Sequence, residues 1–216
     1  MRTPKELQAF YKGASGAVAF VDESFDLDQK NSFYILAIAV VDVEDLTETR
    51  HALEQFYGSQ SLHASPMFAN GEFHSLRQAV NLVAAQHDGL DIVVQRQIDP
   101  RDKNGLIARA LCLASALKKL QDEFGCRLFV LDSSNSRVAN TGDLNLASRL
   151  RQSGRIRRET QVIHTYPRLE PLLGMPDVAA WAYRQEFTGR SRAWFDPLRE
   201  QAQVSFVAPA TEALVN

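Results

Sequence analysis

The stretch Ala17-Val-Ala-Phe-Val-Asp-Glu-Ser24 joins a short apolar run to two acidic residues. Consecutive apolar residues after Gly16 are typical of a buried strand. Asp22 and Glu23 then lie at the end of that strand, at the edge of the core, where an ionised carboxylate is costly unless it is paired or bound to a cation. The stretch therefore predicts a buried strand that ends in carboxylates with a role of their own.

The segments that follow predict a hairpin and a helical insertion. Phe33 to Val41 is a second apolar run, close enough to the first to form an antiparallel pair. Residues 42–57 and 75–83 have the apolar spacing of amphipathic helices. Leu90 to Ile98 predicts a third strand. We therefore expect a helical insertion of about residues 43–89 after the second strand.

The second half of the chain alternates helices with strands. The pattern predicts a helix over 102–124, a strand from Cys126 that ends at Asp132, a helix over 143–152, a strand over 160–166 and a helix over 176–187. This order implies an α/β fold with a mixed five-stranded sheet flanked by helices. We expect one domain over residues 1–216, with a core of about 17–187 and a C-terminal extension of about 189–216.

Composition argues against several classes of protein. The 24 basic and 26 acidic residues among 216 give a net charge of −2, which does not fit a generally basic nucleic-acid coat or a polyacidic tail. The two cysteines form no CxxC pair, so neither a disulfide framework nor a zinc site is expected. No stretch reaches 18 apolar residues and the first residues lack an apolar signal region, so we expect a cytoplasmic protein without a membrane segment.

Three aspartates are candidates for a shared cation site. Asp22 and Asp132 each end a predicted strand, and they converge if the first and fourth strands are parallel neighbours. Asp177 opens the last helix. Gathered carboxylates repel one another, and a divalent cation that prefers oxygen ligands, Mg²⁺ or Mn²⁺, relieves that repulsion. The residues alone leave open that each acid serves only as a turn or helix-capping residue.

Four short segments, taken in order, resemble the bacterial family called domain of unknown function 3800. They are Phe20-Val-Asp-Glu-Ser24, Glu72-Phe-His74, Phe129-Val-Leu-Asp132 and Pro176-Asp-Val-Ala-Ala-Trp181. The resemblance spans roughly residues 17–187. Two places depart from the family pattern: Phe25 stands where Gly is usual, and Leu173-Gly-Met-Pro176 replaces a Gln-containing lead into the last motif.

The resemblance implies a ribonuclease H-like fold whose acidic residues bind Mg²⁺ or Mn²⁺. The motif residues that would be metal ligands and catalytic groups are Asp22, Glu72, Asp132 and Asp177. His74 follows Glu72 by two residues and would point the same way in an extended segment, where it would assist proton transfer or contact a phosphate; a half-exposed loop histidine is the alternative. Glu23 should point to the opposite face of the strand and act indirectly or structurally, with Ser24 as a hydrogen-bonding neighbour.

An arginine-rich segment predicts contact with a polyanion. Residues 137–168 contain seven arginines against two acids, a local charge of +5. Arginine can bind a phosphate through two donors at once, and a one-sided basic patch is typical of a nucleic-acid interface. The predicted nucleic-acid contacts are Arg149, Arg151, Arg155, Arg157 and Arg158. A solvated surface is the alternative for this segment.

These observations predict a metal-dependent phosphodiesterase, a nuclease acting on RNA or DNA. Two cations can activate a water and stabilise the leaving oxygen of a phosphodiester without a nucleophilic Ser or Cys. The family's company suggests a setting in phage defence or a toxin-like effector. Two alternatives stay open: a non-catalytic nucleic-acid- or protein-binding module on a degenerate nuclease fold, and a hydrolase of nucleotide-like phosphate esters. A homo-oligomer and a partner encoded in the same operon are open as well.

Overall fold

The computed structural model describes residues 4–14, 16–28, 30–58, 62–133 and 136–209. Within these ranges the strands are β1 (Ala17–Asp26), β2 (Phe33–Asp42), β3 (Gly89–Arg96), β4 (Leu128–Asp132), β5 (Gln161–Thr165) and β6 (Ala202–Val207). The α-helices are α1 (Pro4–Gly13), α2 (Leu46–Tyr57), α3 (Ala64–Ala69), α4 (Phe73–Ala85), α5 (Leu106–Glu123), α6 (Arg137–Gln152) and α7 (Gly174–Phe187). A 3₁₀ turn, Pro171–Leu173, precedes α7.

The strands form one mixed sheet in the order β5-β4-β1-β2-β3-β6. β1 and β2 pair antiparallel, as do β2 and β3. β4 is parallel to both β1 and β5, and β6 is parallel to β3. The predicted α/β fold with a mixed sheet is confirmed, and α2, α3 and α4 form the helical insertion between β2 and β3. The sheet gains β6, a strand more than the predicted five.

Helices cover both faces of the sheet. On one side, called here the α7 face, Val18 and Phe20 of β1 pack in an apolar cluster with α7, α4 and α2. On the other side, called the α5 face, Ala19 and Val21 pack with α5 and α6. Successive strand residues point to opposite faces, so β2 and the first five residues of β1 are apolar at nearly every position because both faces are covered.

Several helix boundaries differ from the predicted ones. α6 begins at Arg137, six residues before the predicted start, because the hydroxyl of Ser136 accepts the N–H of Ala139 (3.3 Å) and caps the helix. α4 begins at Phe73, so the segment predicted to be extended from Glu72 to His74 is helical after Glu72. α1 was not predicted; its Tyr11 hydroxyl donates to Glu170 (2.5 Å). None of the helices in the described ranges combines the length and apolar character that a bilayer-spanning segment needs.

Candidate active site

Asp22 and Asp132 lie on neighbouring parallel strands. Val21 of β1 pairs with Leu131 of β4, so the two aspartates are the next residues along each strand. Parallel strands are ~4.8 Å apart, and the alternation of side chains places both carboxylates on the α7 face. β1 does not end at Asp22, as the sequence pattern predicted, but continues to Asp26 as one arm of the hairpin with β2.

Asp177 reaches the same place from the first turn of α7. Its Oδ2 accepts the backbone N–H of Ala64 (2.7 Å), and its Oδ1 lies 4.0 Å from Nδ1 of His63. The charges of Asp177 and Asp132 both act on Asp22. The structure therefore brings the three aspartates within electrostatic reach of one another on the α7 face.

Crowding and burial make ionisation of these carboxylates costly. Burial raises the pKa of Asp22 well above its usual value, and the negative charges of Asp177, Glu23 and Asp132 raise it further. Burial likewise raises the pKa of Asp132 from 3.8 to about 6, although a hydrogen bond from the backbone of Ser133 opposes the shift. The site therefore favours protons or cations that offset its negative charge.

The donor set fits a divalent cation. Oδ1 of Asp132 is buried without a hydrogen-bond partner among the described residues, and so is the hydroxyl of Thr165, the residue paired with Asp132 across β4 and β5. Unpaired buried oxygen atoms next to crowded carboxylates suit a hard cation such as Mg²⁺ or Mn²⁺. No three His, Cys, Asp or Glu side chains in the described ranges are placed to hold one ion together. The carboxylates of Asp22, Asp132 and Asp177 would have to turn toward a common point.

His63 is a site residue that the sequence did not reveal. It immediately precedes α3, in the insertion, and the carboxylate of Asp177 raises the pKa of its imidazole above the usual value, with Asp132 adding to the effect. The imidazole side chain is 45% exposed, so it stands at the mouth of the site rather than in the core. No local motif marks His63, because its partner lies more than a hundred residues away in the chain.

Glu72 and His74 are exposed, and neither is among the groups whose charges act on Asp22. Glu72 is exposed at the start of α4, where its carboxylate accepts a hydrogen bond from the side-chain amide of Asn70 (3.1 Å). His74 is exposed in the first turn of the same helix. Glu72 precedes α4 and His74 lies in its first turn, so the two are not alternate residues of an extended segment, as the sequence pattern predicted.

Glu23 faces the opposite side of β1 and joins a buried ionic network. It forms an ion pair with Nη1 of Arg109, a residue of α5 that also donates to Asp143 through Nε (3.0 Å) and Nη2 (2.9 Å). Nε2 of His164 in β5 lies 2.9 Å from Asp143, so this histidine belongs to the network. Burial alone would raise the pKa of Asp143, but His164 and Arg109 hold it below the usual value.

Ser24 is a hydrogen-bonding neighbour on the carboxylate side of the strand. Its hydroxyl accepts a hydrogen bond from Nη1 of Arg184 in α7 (3.3 Å), and Nη2 of the same guanidinium pairs with Asp26 (3.4 Å). Asp22, Ser24 and Asp26 are alternate residues of β1, so all three face α7. The positive charge of Arg184 thus lies beside Ser24, two residues beyond Asp22 in β1.

The arginine patch lies away from the aspartates. α6 starts near the end of β4 and runs back for 16 residues, which is ~24 Å, before its last turn presents Arg149 and Arg151. The loop with Arg155, Arg157 and Arg158 then enters β5 opposite Leu128, the first residue of β4. These five arginines therefore lie at the other end of β4 from Asp132, on the α5 side. That they contact nucleic acid stays a prediction.

We expect the metal-free protein to lose stability as Asp132 ionises. The pKa of Asp132 in the folded protein, about 6, exceeds the usual 3.8, so the protonated carboxyl stabilises the folded state. This stabilisation is fully present below pH 4 and is lost as the pH rises through 6. Asp132→Asn removes the loss, on the order of 1–2 kcal/mol after allowance for solvent screening. Thermal melts in EDTA should show the variant above the wild type at pH 7.5 and level with it near pH 4. A constant difference between these pH values would contradict the shifted pKa.

Comparison with known proteins supports the fold alone. No protein-family model matches the chain, and no curated protein matches it. Among solved structures, the chain is similar to the crystal structure of ribonuclease H2 from Pyrococcus horikoshii OT3, with a TM-score of 0.54 and 14% sequence identity over 81% of this chain and 74% of that chain. The resemblance to domain of unknown function 3800 stays a prediction, whereas the ribonuclease H-like fold of this chain is shown.

Proposed function

We propose that this protein is a divalent-cation-dependent phosphodiesterase that cleaves nucleic acid. The observation that carries the proposal is the meeting of Asp22, Asp132 and Asp177 on one face of a ribonuclease H-like sheet. The similar solved structure is named a ribonuclease, which supports a polynucleotide substrate over a small phosphate ester. The substrate would be RNA or DNA.

The chain's own residues have separable roles in this proposal. Asp22, Asp132 and Asp177 would hold Mg²⁺ or Mn²⁺, which when bound would activate a water and stabilise the leaving oxygen. The backbone N–H of Ala64 donates to the carboxylate of Asp177. His63, at the exposed rim and charged more readily because of Asp177, would contact the substrate phosphate or hold a proton there. We assign no role in the chemistry to Glu72 and His74, because both are exposed and the carboxylate of Glu72 bonds Asn70.

A second candidate is a non-catalytic nucleic-acid-binding module on the same fold. One observation favours it: the described side chains are not arranged to hold an ion together. A binding module would keep the fold and the basic groups without needing a coordinated cation. Metal dependence separates the two candidates.

The test is cleavage of single- and double-stranded RNA and DNA with Mg²⁺, with Mn²⁺ and with EDTA. We expect products with at least one cation and none in EDTA. In the same buffers, either cation should raise the melting temperature of the wild type, because a ligand that binds only the folded state stabilises it. Cleavage that persists in EDTA would contradict the dependence on a cation, and binding of nucleic acid without any cleavage would favour the second candidate.

A further inference from the structure

A basic groove lies at the opposite end of α7 from Asp177. Its volume is about 520 Å³, within the ordinary range of ligand sites, and it lies between the start of β2, the end of β3 and the end of α7. Asp26 of β1, Phe33 of β2 and Arg96 of β3 are cross-strand neighbours in its floor. Asp26 lies four residues beyond Asp22, so the groove begins ~13 Å from that carboxylate on the same face.

Cations in the groove lack acidic partners. Lys30, Arg96 and Arg190 are exposed, and no carboxylate in the described ranges lies within ion-pair distance of any of them. The carboxylates of the groove are those of Asp26, which is paired with Arg184, and Asp28. With Arg184 counted, four cations outnumber two carboxylates, and three of the four are available to an anion.

The guanidinium of Arg96 is held in place before any ligand binds. It lies 4.8 Å from the ring centroids of Phe187 and Phe206. Cation–π contacts of this kind reduce the freedom of a long side chain, so less entropy is lost when its donors bind a phosphate. Arg96 is therefore suited to the bidentate recognition of a phosphate group.

The backbone of the groove contains a strained residue. Gln97 has a φ of 56°, the left-handed region that side chains other than glycine rarely adopt. Two hydrogen bonds hold the bend: the N–H of Gln97 donates to the carbonyl of Ser32 (3.0 Å), and the N–H of Ile98 donates to the Ser32 hydroxyl (2.9 Å). Strain held in this way is common at binding sites, and here it lies beside the cations.

We propose that this groove, and not the arginine patch of residues 149–158, binds the sugar–phosphate backbone of the nucleic acid whose phosphodiester lies at Asp22. The proposal rests on the proposed function and adds the path that the nucleic-acid strand follows over the protein. A stacked strand rises ~3.4 Å per nucleotide, so the groove receives a phosphate about four nucleotides from the aspartates. Arg184, between Asp22 and the groove, supplies a cation on the way.

Binding measured without cleavage tests the proposal. Fluorescence anisotropy in EDTA would use labelled single-stranded RNA and DNA of about 20 nucleotides, with the wild type and the triple variant Lys30→Gln, Arg96→Gln, Arg190→Gln. The matched control is Arg155→Gln, Arg157→Gln, Arg158→Gln, which removes the same charge from the distant patch. Circular dichroism melts establish that both variants are folded.

The groove variant should bind at least about tenfold more weakly, and its slope of log affinity against log salt should fall by about 2, because each lost phosphate contact removes ~0.7. The control should keep the wild-type slope. Equal losses in both variants, a loss only in the control, or no binding by the wild type overturns the proposal. So does a mononucleotide that binds the groove as tightly as the oligonucleotide.

Cleavage by the same proteins separates this proposal from the proposed function. Binding that depends on the groove, without cleavage, would support the proposed path of the strand and contradict the proposed catalytic function. Cleavage by the wild type together with unchanged binding by the groove variant would contradict only the proposed path of the strand.

Discussion

Replacing Asp22 by asparagine is expected to lower the cleavage rate about a thousandfold, because ~4 kcal/mol of transition-state stabilisation is lost with a shared cation ligand. Asp22 is the residue on which the charges of Asp177, Glu23 and Asp132 converge, so it is the centre of the cluster. Asparagine has the same shape but carries no charge. The measurement is the initial rate on the best substrate with Mg²⁺ or Mn²⁺.

The same substitution should leave the metal-free protein folded and slightly more stable. Removing one of several crowded charges relieves repulsion and eliminates the cost of ionising a buried carboxyl. Melting temperatures with and without Mn²⁺ report both effects: the wild type should gain more from the cation than Asp22→Asn does. An Asp22→Asn protein as active as the wild type would falsify the proposed catalytic site.

Glu72→Gln is the matched control for that experiment. The family resemblance makes Glu72 a metal ligand, whereas the structure places it exposed at the start of α4. We expect its rate to stay within about twofold of the wild type, as is usual for a surface change without a buried partner. A loss as large as that of Asp22→Asn would show that α4 moves to the aspartates when a cation binds.

The fold was predictable where burial on both faces leaves a continuous apolar run. β1, β2 and β4 have such runs, and the aspartates that follow the runs in β1 and β4, Asp22 and Asp132, were predicted to be neighbours. The sequence pattern indicated β6 less clearly, because its residues are half-buried or exposed at the edge of the sheet. The start of α6 was missed because its first turns are mostly solvent-exposed and carry little apolar pattern.

The site was predictable only in part, because sequence patterns record local spacing and not long-range contacts. His63 meets Asp177 through the packing of the insertion on α7, and nothing near position 63 indicates this. The charge of residues 137–168 indicates a basic surface, but not the end of the sheet at which it lies. Phe25, where the family has glycine, stacks on Tyr34 (5.5 Å between ring centroids) on the side of β1 away from the aspartates.

Replacing Arg109 by methionine is expected to destabilise the protein by about 3–5 kcal/mol, because it leaves buried carboxylates without their partner. Arg109 and Asp143 are 4% and 3% exposed, and the guanidinium bonds Glu23, Asp143 and the hydroxyl of Tyr34 (3.1 Å). Methionine keeps the length of the side chain but has no charge. In a chain of this size the melting temperature should fall by about 6–20 °C, since each kcal/mol corresponds to about 2–4 °C.

Arg199→Met is the matched control, because Arg199 also pairs with two carboxylates, Glu186 and Asp196, but is 44% exposed. Exposed pairs contribute ~0–1 kcal/mol, so this variant should melt close to the wild type. Adding Asp143→Leu to Arg109→Met should recover part of the loss, since an apolar pair avoids the cost of an unpaired buried charge. Equal melting temperatures for the two arginine variants would contradict the buried network.

Because Glu23 is next to Asp22 in β1, its pairing with Arg109 also fixes the strand that carries the central carboxylate. Arg109→Met should therefore weaken the binding of Mn²⁺ to the folded protein, so that Mn²⁺ stabilises this variant less than it stabilises the wild type.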